Sequence, residues 1–139
     1  MVRSLVHTEF PMRLAAFTAM LFLGSATVAQ EHTTDTTDQV KKAVKDKKAV
    51  LLDVREQKEW DAGHLKDAGL LPLSKLNAGA TKEELDKLIP KGSIVYLHCK
   101  AGGRCLTAAE ALKKQGYDAR PLKDGYESLL KAGFPKAEK

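Results

Sequence analysis

Two short, unbroken apolar runs constrain this chain more than any other feature: AVLLDV at residues 49–54 and SIVYLH at residues 93–98. Neither shows the apolar–polar alternation of a strand with one wet face, and both are too short to stand as helices. Runs of this kind are expected for strands buried on both faces, in a parallel sheet covered by helices on either side. Each run leads into reactive groups, Asp53 and Arg55 after the first and Cys99 after the second. In open parallel sheets ligands gather at the carboxyl ends of strands, so Asp53, Arg55 and Cys99 are expected to share one site.

The remaining segments supply the helices such a sheet requires. Val40 and Val44, with the aliphatic stems of Lys41 and Lys45, predict a helix through about Lys47, N-capped by Thr37 or Asp38. EQKEWDAG predicts a short helix halted by Gly63, and GLLPLSKL a strand at Leu70 and Leu71 broken by Pro72. Thr81 followed three residues later by Glu84 is a capping box that starts a helix with Leu85 and Leu88 facing inward. SIVYLH, β-branched and aromatic, is the strongest strand. CLTAAEALKKQG predicts a helix ending at Gly116, DARPL a last short strand, and YESLLKAGF a closing helix stopped by Gly133 and Pro135. Strands alternating with helices predict an α/β fold with three layers, a small parallel sheet with helices on both faces. A chain of 139 residues holds one such domain.

The N-terminal stretch MRLAAFTAMLFLGSATVAQ has a basic start at Arg13, an apolar run from Leu14 to Leu23 and small residues up to Ala29. This is the pattern of a secretory signal peptide, and the run is shorter than the ~20 residues a membrane span needs. Residues 1–29 are expected to be a cleaved leader, with Met12 an alternative start. A flexible, Thr-rich lead is expected over 30–38 and the folded domain over 39–136. The expectation is an exported protein, periplasmic or secreted, monomeric and not inserted in the membrane after cleavage. Losing the leader removes Arg3, Arg13 and Glu9, which takes the net charge from +5 to about +4. The basic segment KKAVKDKK has no aromatic or arginine interleaving, so nucleic acid is not an expected partner, while a mildly positive surface suits small anions.

Both cysteines, Cys99 and Cys105, fall within HCKAGGRCLTAAEAL, residues 98–112. Two thiols do not make a disulfide framework. A cysteine followed by small residues and an arginine leading into a helix suits a phosphatase loop, a sulfur-transfer loop or half of a disulfide. In each case the thiol at a strand end lies above a ring of backbone N–H groups and at the positive end of the helix dipole. Gly102 and Gly103 allow the backbone to curl without Cβ clashes. Cysteine pKa values fall from ~8.5 towards ~7 in such settings, which makes about half of the thiol anionic at neutral pH. Cys99 is therefore the candidate nucleophile, and Lys100, Ala101, Gly102, Gly103 and Arg104 are the candidate anion-binding loop.

From about Val40 to Pro135 the chain resembles a single-domain rhodanese, a thiosulfate sulfurtransferase module. LLDVREQKEWDAGHLKDAGLLPL is similar to the family's D-V-R-E and G-H-I-x-G-A-x-x-I-P-L pattern, HCKAGGR to its active loop, and LKDGYESLLKAGFP to its G-G-x-x-x-W-x-x-A-G-x-P ending. The resemblance implies the rhodanese-like three-layer fold and no cofactor or metal. It implies that Cys99 takes a sulfane sulfur from a small anionic donor such as thiosulfate, holds it as a persulfide and passes it to a thiophilic acceptor such as cyanide or a thiol. Arg104 matches the last loop position, Lys100 adds a cation near the mouth, and Asp53 and Arg55 match the D-V-R pair. Asp53 is expected to orient the loop and the following helix, and Arg55 to offset that carboxylate or meet the substrate. His64 matches the family's G-H and is read as structural.

Three positions depart from the pattern: Cys105 replaces the usual Ser or Thr, Asp124-Gly125 the double glycine, and Leu129 the tryptophan. Two other chemistries stay open. A cysteine phosphatase or arsenate-reductase-like enzyme could share the fold, although the phosphatases place five residues between cysteine and arginine where this chain has only Lys100 to Gly103. A redox-sensing protein could use Cys99 and Cys105 as a pair, although Cys105 is expected to point back into the base of the helix.

Overall fold

The computed structural model describes residues 29–138, so the expected leader lies, but for Ala29, outside the described residues. Four strands, β1 (Ala49–Asp53), β2 (Ala68–Leu70), β3 (Ile94–His98) and β4 (Asp118–Pro121), form one parallel sheet in the order β2-β1-β3-β4. The two unbroken apolar runs are its two central strands, as burial on both faces demands. Pro121, which has no N–H to give a ladder, ends an edge strand. Helices α1 (Thr37–Lys45), α2 (Gln57–Ala62), α3 (Leu73–Asn77), α4 (Lys82–Leu88), α5 (Gly103–Lys114) and α6 (Tyr126–Lys131) complete the domain. No helix among the described residues is long and apolar enough to cross a membrane.

Period-two alternation along the strands builds two cores. β3 sends Val95, Leu97 and Cys99 into a core with Leu85 of α4 and Ala108 and Leu112 of α5. It sends Tyr96 into a second core with Val40 of α1 and Leu129 of α6. The sheet is thus covered on both faces, and the three-layer α/β expectation holds. From β1 the chain steps outward to β2, then returns across β1 to reach β3. The carboxyl-end crevice opens where the direction reverses, between β1 and β3.

Local differences from the sequence expectation have identifiable causes. α1 starts one residue earlier than expected because Thr36 is the N-cap, in a capping box with Gln39 (Thr36 N to Gln39 Oε1 2.7 Å). It stops at Lys45, and Lys47 turns away in the left-handed region at φ +57°. β2 ends at Leu70, and Pro72, read as a strand breaker, is the N-cap of α3, a helix the sequence did not announce.

The lead over 30–38, expected to be flexible, is instead docked. Thr33 N–H donates to the Pro121 carbonyl at 2.8 Å, and the Asp35 carboxylate accepts from the Tyr96 hydroxyl at 2.7 Å and Arg120 at 2.9 Å. Tyr96 is almost wholly buried, and its hydroxyl needs a partner that Asp35 supplies.

Candidate active site

Cys99 leaves the end of β3 with only 1% of its surface exposed. The chain then curls so that the Gly102 N–H donates to Cys99 Sγ at 3.0 Å. Gly102 is the N-cap of α5 and sits at φ +89°, where an added Cβ would also lie 2.8 Å from the Lys123 carbonyl oxygen. Only glycine fits that position. The segment after β4 braces the loop from behind: Tyr126 N–H donates to the Cys99 carbonyl at 2.9 Å, and a Cβ on Gly125 would fall 1.8 Å from the Lys100 carbonyl oxygen. Of the family's double glycine this chain keeps the member that the loop backbone passes over.

The Cys99 thiol is held down to about 4, first by a hydrogen bond from the Cys105 side chain and then by the N–H groups of Cys105, Ala101 and Gly102, with burial opposing them. The sequence suggested a value near 7, and the largest single contribution comes from the residue that departs from the family pattern. Cys105 is fully buried in the first turn of α5, its Sγ 2.8 Å from the Gly102 carbonyl and 3.1 Å from that of Leu122. The adjoining Cys99 sulfur and burial push the Cys105 thiol up, so Cys99 is the anion of the pair and Cys105 keeps its proton. Both are free thiols.

Asp53, expected to orient the loop, does not bond to it directly. Strand alternation turns it onto the α6 side of the sheet, opposite Cys99, and among the described residues its carboxylate hydrogen-bonds only to Arg55: to the backbone N–H at 3.0 Å, Nε at 3.0 Å and a terminal NH2 at 2.7 Å. Arg55 offsets this buried charge, as one of its two expected roles required. It also donates to the Gly63 carbonyl at 2.8 Å and lies 4.1 Å from the centre of the Tyr126 ring. Since Tyr126 holds the Cys99 carbonyl, Asp53 reaches the loop only through Arg55 and Tyr126. His98 pairs in register with Asp53 and shares its face, with Nε2 3.8 Å from the carboxylate. Burial pushes its pKa down against the pull of Asp53, and the imidazole faces away from Cys99. His64 stacks on Trp60 at 3.6 Å, a structural contact as expected.

Arg104 extends from the first turn of α5 to α2, where Glu59 clamps both terminal nitrogens at 2.6 and 2.8 Å. Glu59 is held down to about 2, principally by Arg104. Arg104 is in turn raised by Glu59, after which the Cys99 sulfur adds to the same effect. Beside the loop lies a cleft of about 360 Å³ lined by Arg55, Glu59, Gly63, Lys100, Tyr126 and Lys136 among others. Lys100 stands exposed at its edge, and Arg55 forms part of its lining. Among the described residues no group of three or more His, Cys, Asp or Glu side chains is placed to hold a metal ion.

The family model of the rhodanese-like domain matches residues 36–132. The chain belongs to this family. The match runs from the N-cap of α1 to the C-cap of α6.

A probable adenylyltransferase/sulfurtransferase, MoeZ of Mycobacterium tuberculosis, is 42% identical over 90 residues, which cover 64% of this chain and 22% of that protein. The rhodanese-like chain therefore spans about a fifth of that relative's length. YqhL of Bacillus subtilis, an uncharacterized protein, is 36% identical over 94 residues, 67% of this chain and 68% of YqhL. Among solved structures, the human single-domain sulfurtransferase TSTD1 superposes with a TM-score of 0.58 at 25% identity, covering 68% of this chain and 91% of that one.

Glu59 and Tyr126 in the rhodanese-like domain, and His32 in the lead before it, are the site residues that sequence reasoning missed. Glu59 carried a weak signal, an acid in the first turn of the helix after the D-V-R motif. His32 carried none: it lies in the lead, with Nε2 2.9 Å from the Gly102 carbonyl.

Proposed function

We propose that this rhodanese-like protein is a sulfurtransferase that works through a Cys99 persulfide, with thiosulfate or a similar small anion as donor. The observation that carries the reading is the Cys99 thiolate at the base of a loop with four residues between it and Arg104, its sulfur already accepting the Gly102 N–H at 3.0 Å. A cradle this tight suits a single sulfur atom better than a tetrahedral phosphoryl group.

The preformed anion attacks the outer sulfur of thiosulfate. A new S–S bond forms at Cys99 while the donor's S–S bond breaks and sulfite leaves with the electron pair. An acceptor, cyanide or a thiolate, then attacks the outer persulfide sulfur and the Cys99 thiolate departs. Neither step needs a general base, in keeping with His98 and His64 facing elsewhere. Loop N–H groups bind the sulfur in both states, and Lys100 draws the anionic donor. The protein is proposed to act as a monomer. The leader pattern supports export, with a mature chain beginning at Gln30.

Intact mass spectrometry of protein recovered from expressing cells and treated with thiosulfate tests both proposals. The expected result is a chain starting at Gln30 that gains one sulfur, loses it to cyanide as thiocyanate, and gains none as Cys99→Ser. Absence of the adduct, or its persistence in Cys99→Ser, overturns the persulfide mechanism. A chain that keeps residues 1–29 overturns export with cleavage.

A further inference from the structure

The Cys105 thiol has one hydrogen and two carbonyl acceptors, Gly102 at 2.8 Å and Leu122 at 3.1 Å, with the adjoining Cys99 sulfur as a third claimant. Where that hydrogen points decides how well Cys99 is held as an anion. The Gly102 carbonyl has a second partner outside the loop, His32 Nε2 at 2.9 Å. His32 is itself held in place, since Thr33 N–H is bonded to Pro121, and Asp35 is bonded to Tyr96 and Arg120, which Asp118 supports at 2.9 Å.

We propose that His32 is a positioning residue for Cys99: by donating Nε2–H to the Gly102 carbonyl, it satisfies that oxygen and leaves the single Cys105 hydrogen to the Cys99 sulfur. A carbonyl that already accepts one strong bond attracts a weak S–H donor less, whereas the same carbonyl without His32 competes for it. The bond also fixes the orientation of the Gly102–Gly103 peptide. In a trans peptide, the Gly103 N–H points opposite to the Gly102 oxygen and hence away from the lead.

Charged neighbours of His32 around the lead are Glu31, Asp35, Lys113, Asp118 and Arg120. Asp35 and Asp118 are paired with Arg120. Both the imidazolium and the neutral Nε2–H tautomer donate to the carbonyl, the charged form more strongly. This role rests on Cys99 being the reacting group proposed above.

The test measures the pH midpoint of Cys99 alkylation by iodoacetamide, read by mass spectrometry. It needs no sulfur donor and so stands apart from whether thiosulfate is a substrate. The midpoint should rise by about half to one pH unit in His32→Ala. His32→Gln, which keeps a side-chain N–H donor, should recover most of the difference, and Thr34→Ala, a neighbour in the lead, should leave the midpoint in place. In a Cys105→Ala background, where no S–H remains to redirect, His32→Ala should move the midpoint by less than half as much. An unchanged midpoint in His32→Ala, or equal shifts with and without Cys105, overturns the proposal. Near-UV circular dichroism of each variant shows that the comparison is between folded proteins.

Discussion

Replacing Cys105 tests directly how the thiolate is held. The Cys99 pKa falls from an ordinary 9.0 to about 4, and the first of its causes is the Cys105 side chain. The whole displacement corresponds to roughly 7 kcal/mol in favour of the anion. A hydrogen bond to a charged group is worth about 1.5–3 kcal/mol, so Cys105→Ala removes about one to two pH units of it, moving the midpoint to between about 5 and 6. The backbone N–H groups and the α5 dipole retain the rest. At neutral pH Cys99 then remains almost wholly anionic, so the variant does not become inert.

Indeed, nucleophilicity rises with pKa at a Brønsted slope of ~0.4–0.5, so alkylation near pH 7 should be about 2.5- to 10-fold faster in Cys105→Ala than in the wild type. Below about pH 5 the order reverses as the variant protonates first. Cys105→Ser keeps a donor with a more polar bond, and its midpoint should stay at or below that of the wild type. Iodoacetamide alkylation across pH, followed by mass spectrometry, reads all three proteins. If Cys105→Ala titrates with the wild type, the Cys105 hydrogen is committed to the Gly102 or Leu122 carbonyl and the backbone alone holds the thiolate.

Two further outcomes follow from the same site. Because the folded Cys99 pKa lies near 4 and the unfolded value near 9.0, its contribution to stability is complete above pH 9 and disappears as pH falls through 4. Urea unfolding at about pH 5, 7 and 9 should show the wild type gaining on Cys99→Ala by up to about 1.4 kcal/mol per pH unit, and a constant difference would refute a depressed pKa. Gly125→Ala puts a Cβ 1.8 Å from the Lys100 carbonyl, which is backbone and cannot swing aside. Displacing the loop should cost about 1–3 kcal/mol in thermal denaturation and move the Cys99 midpoint upward, and an alanine variant that kept both wild-type values would show that the loop is not braced there.

What the sequence could reveal follows the distance over which each feature is decided. The central strands were readable because AVLLDV and SIVYLH carry their own burial pattern, and the nucleophilic loop because Cys99, Gly102, Arg104 and Cys105 lie within seven positions of one another. α3 was hidden because Pro72 stops a strand and starts a helix with the same restricted φ. Asp53 was assigned to the loop because a strand's carboxyl end indicates proximity to a site, while the face on which a side chain emerges depends on alternation and register. Once Asp53 is opposite His98 in the β1–β3 ladder, it shares the face away from Cys99 and acts on Arg55 instead.

The site contacts that the local motif does not reveal are long-range: Glu59 to Arg104 spans 45 positions and His32 to Gly102 spans 70. Neither residue type is unusual where it stands, so only the assembled sheet brings the partners together. The local motif therefore carries the proposed reacting atom, whereas these distant partners fix the arginine beside it and the carbonyl beside the Cys105 thiol. Two chains with the same loop but different residues at positions 32 and 59 should consequently share the reaction and differ in the pH at which Cys99 becomes an anion.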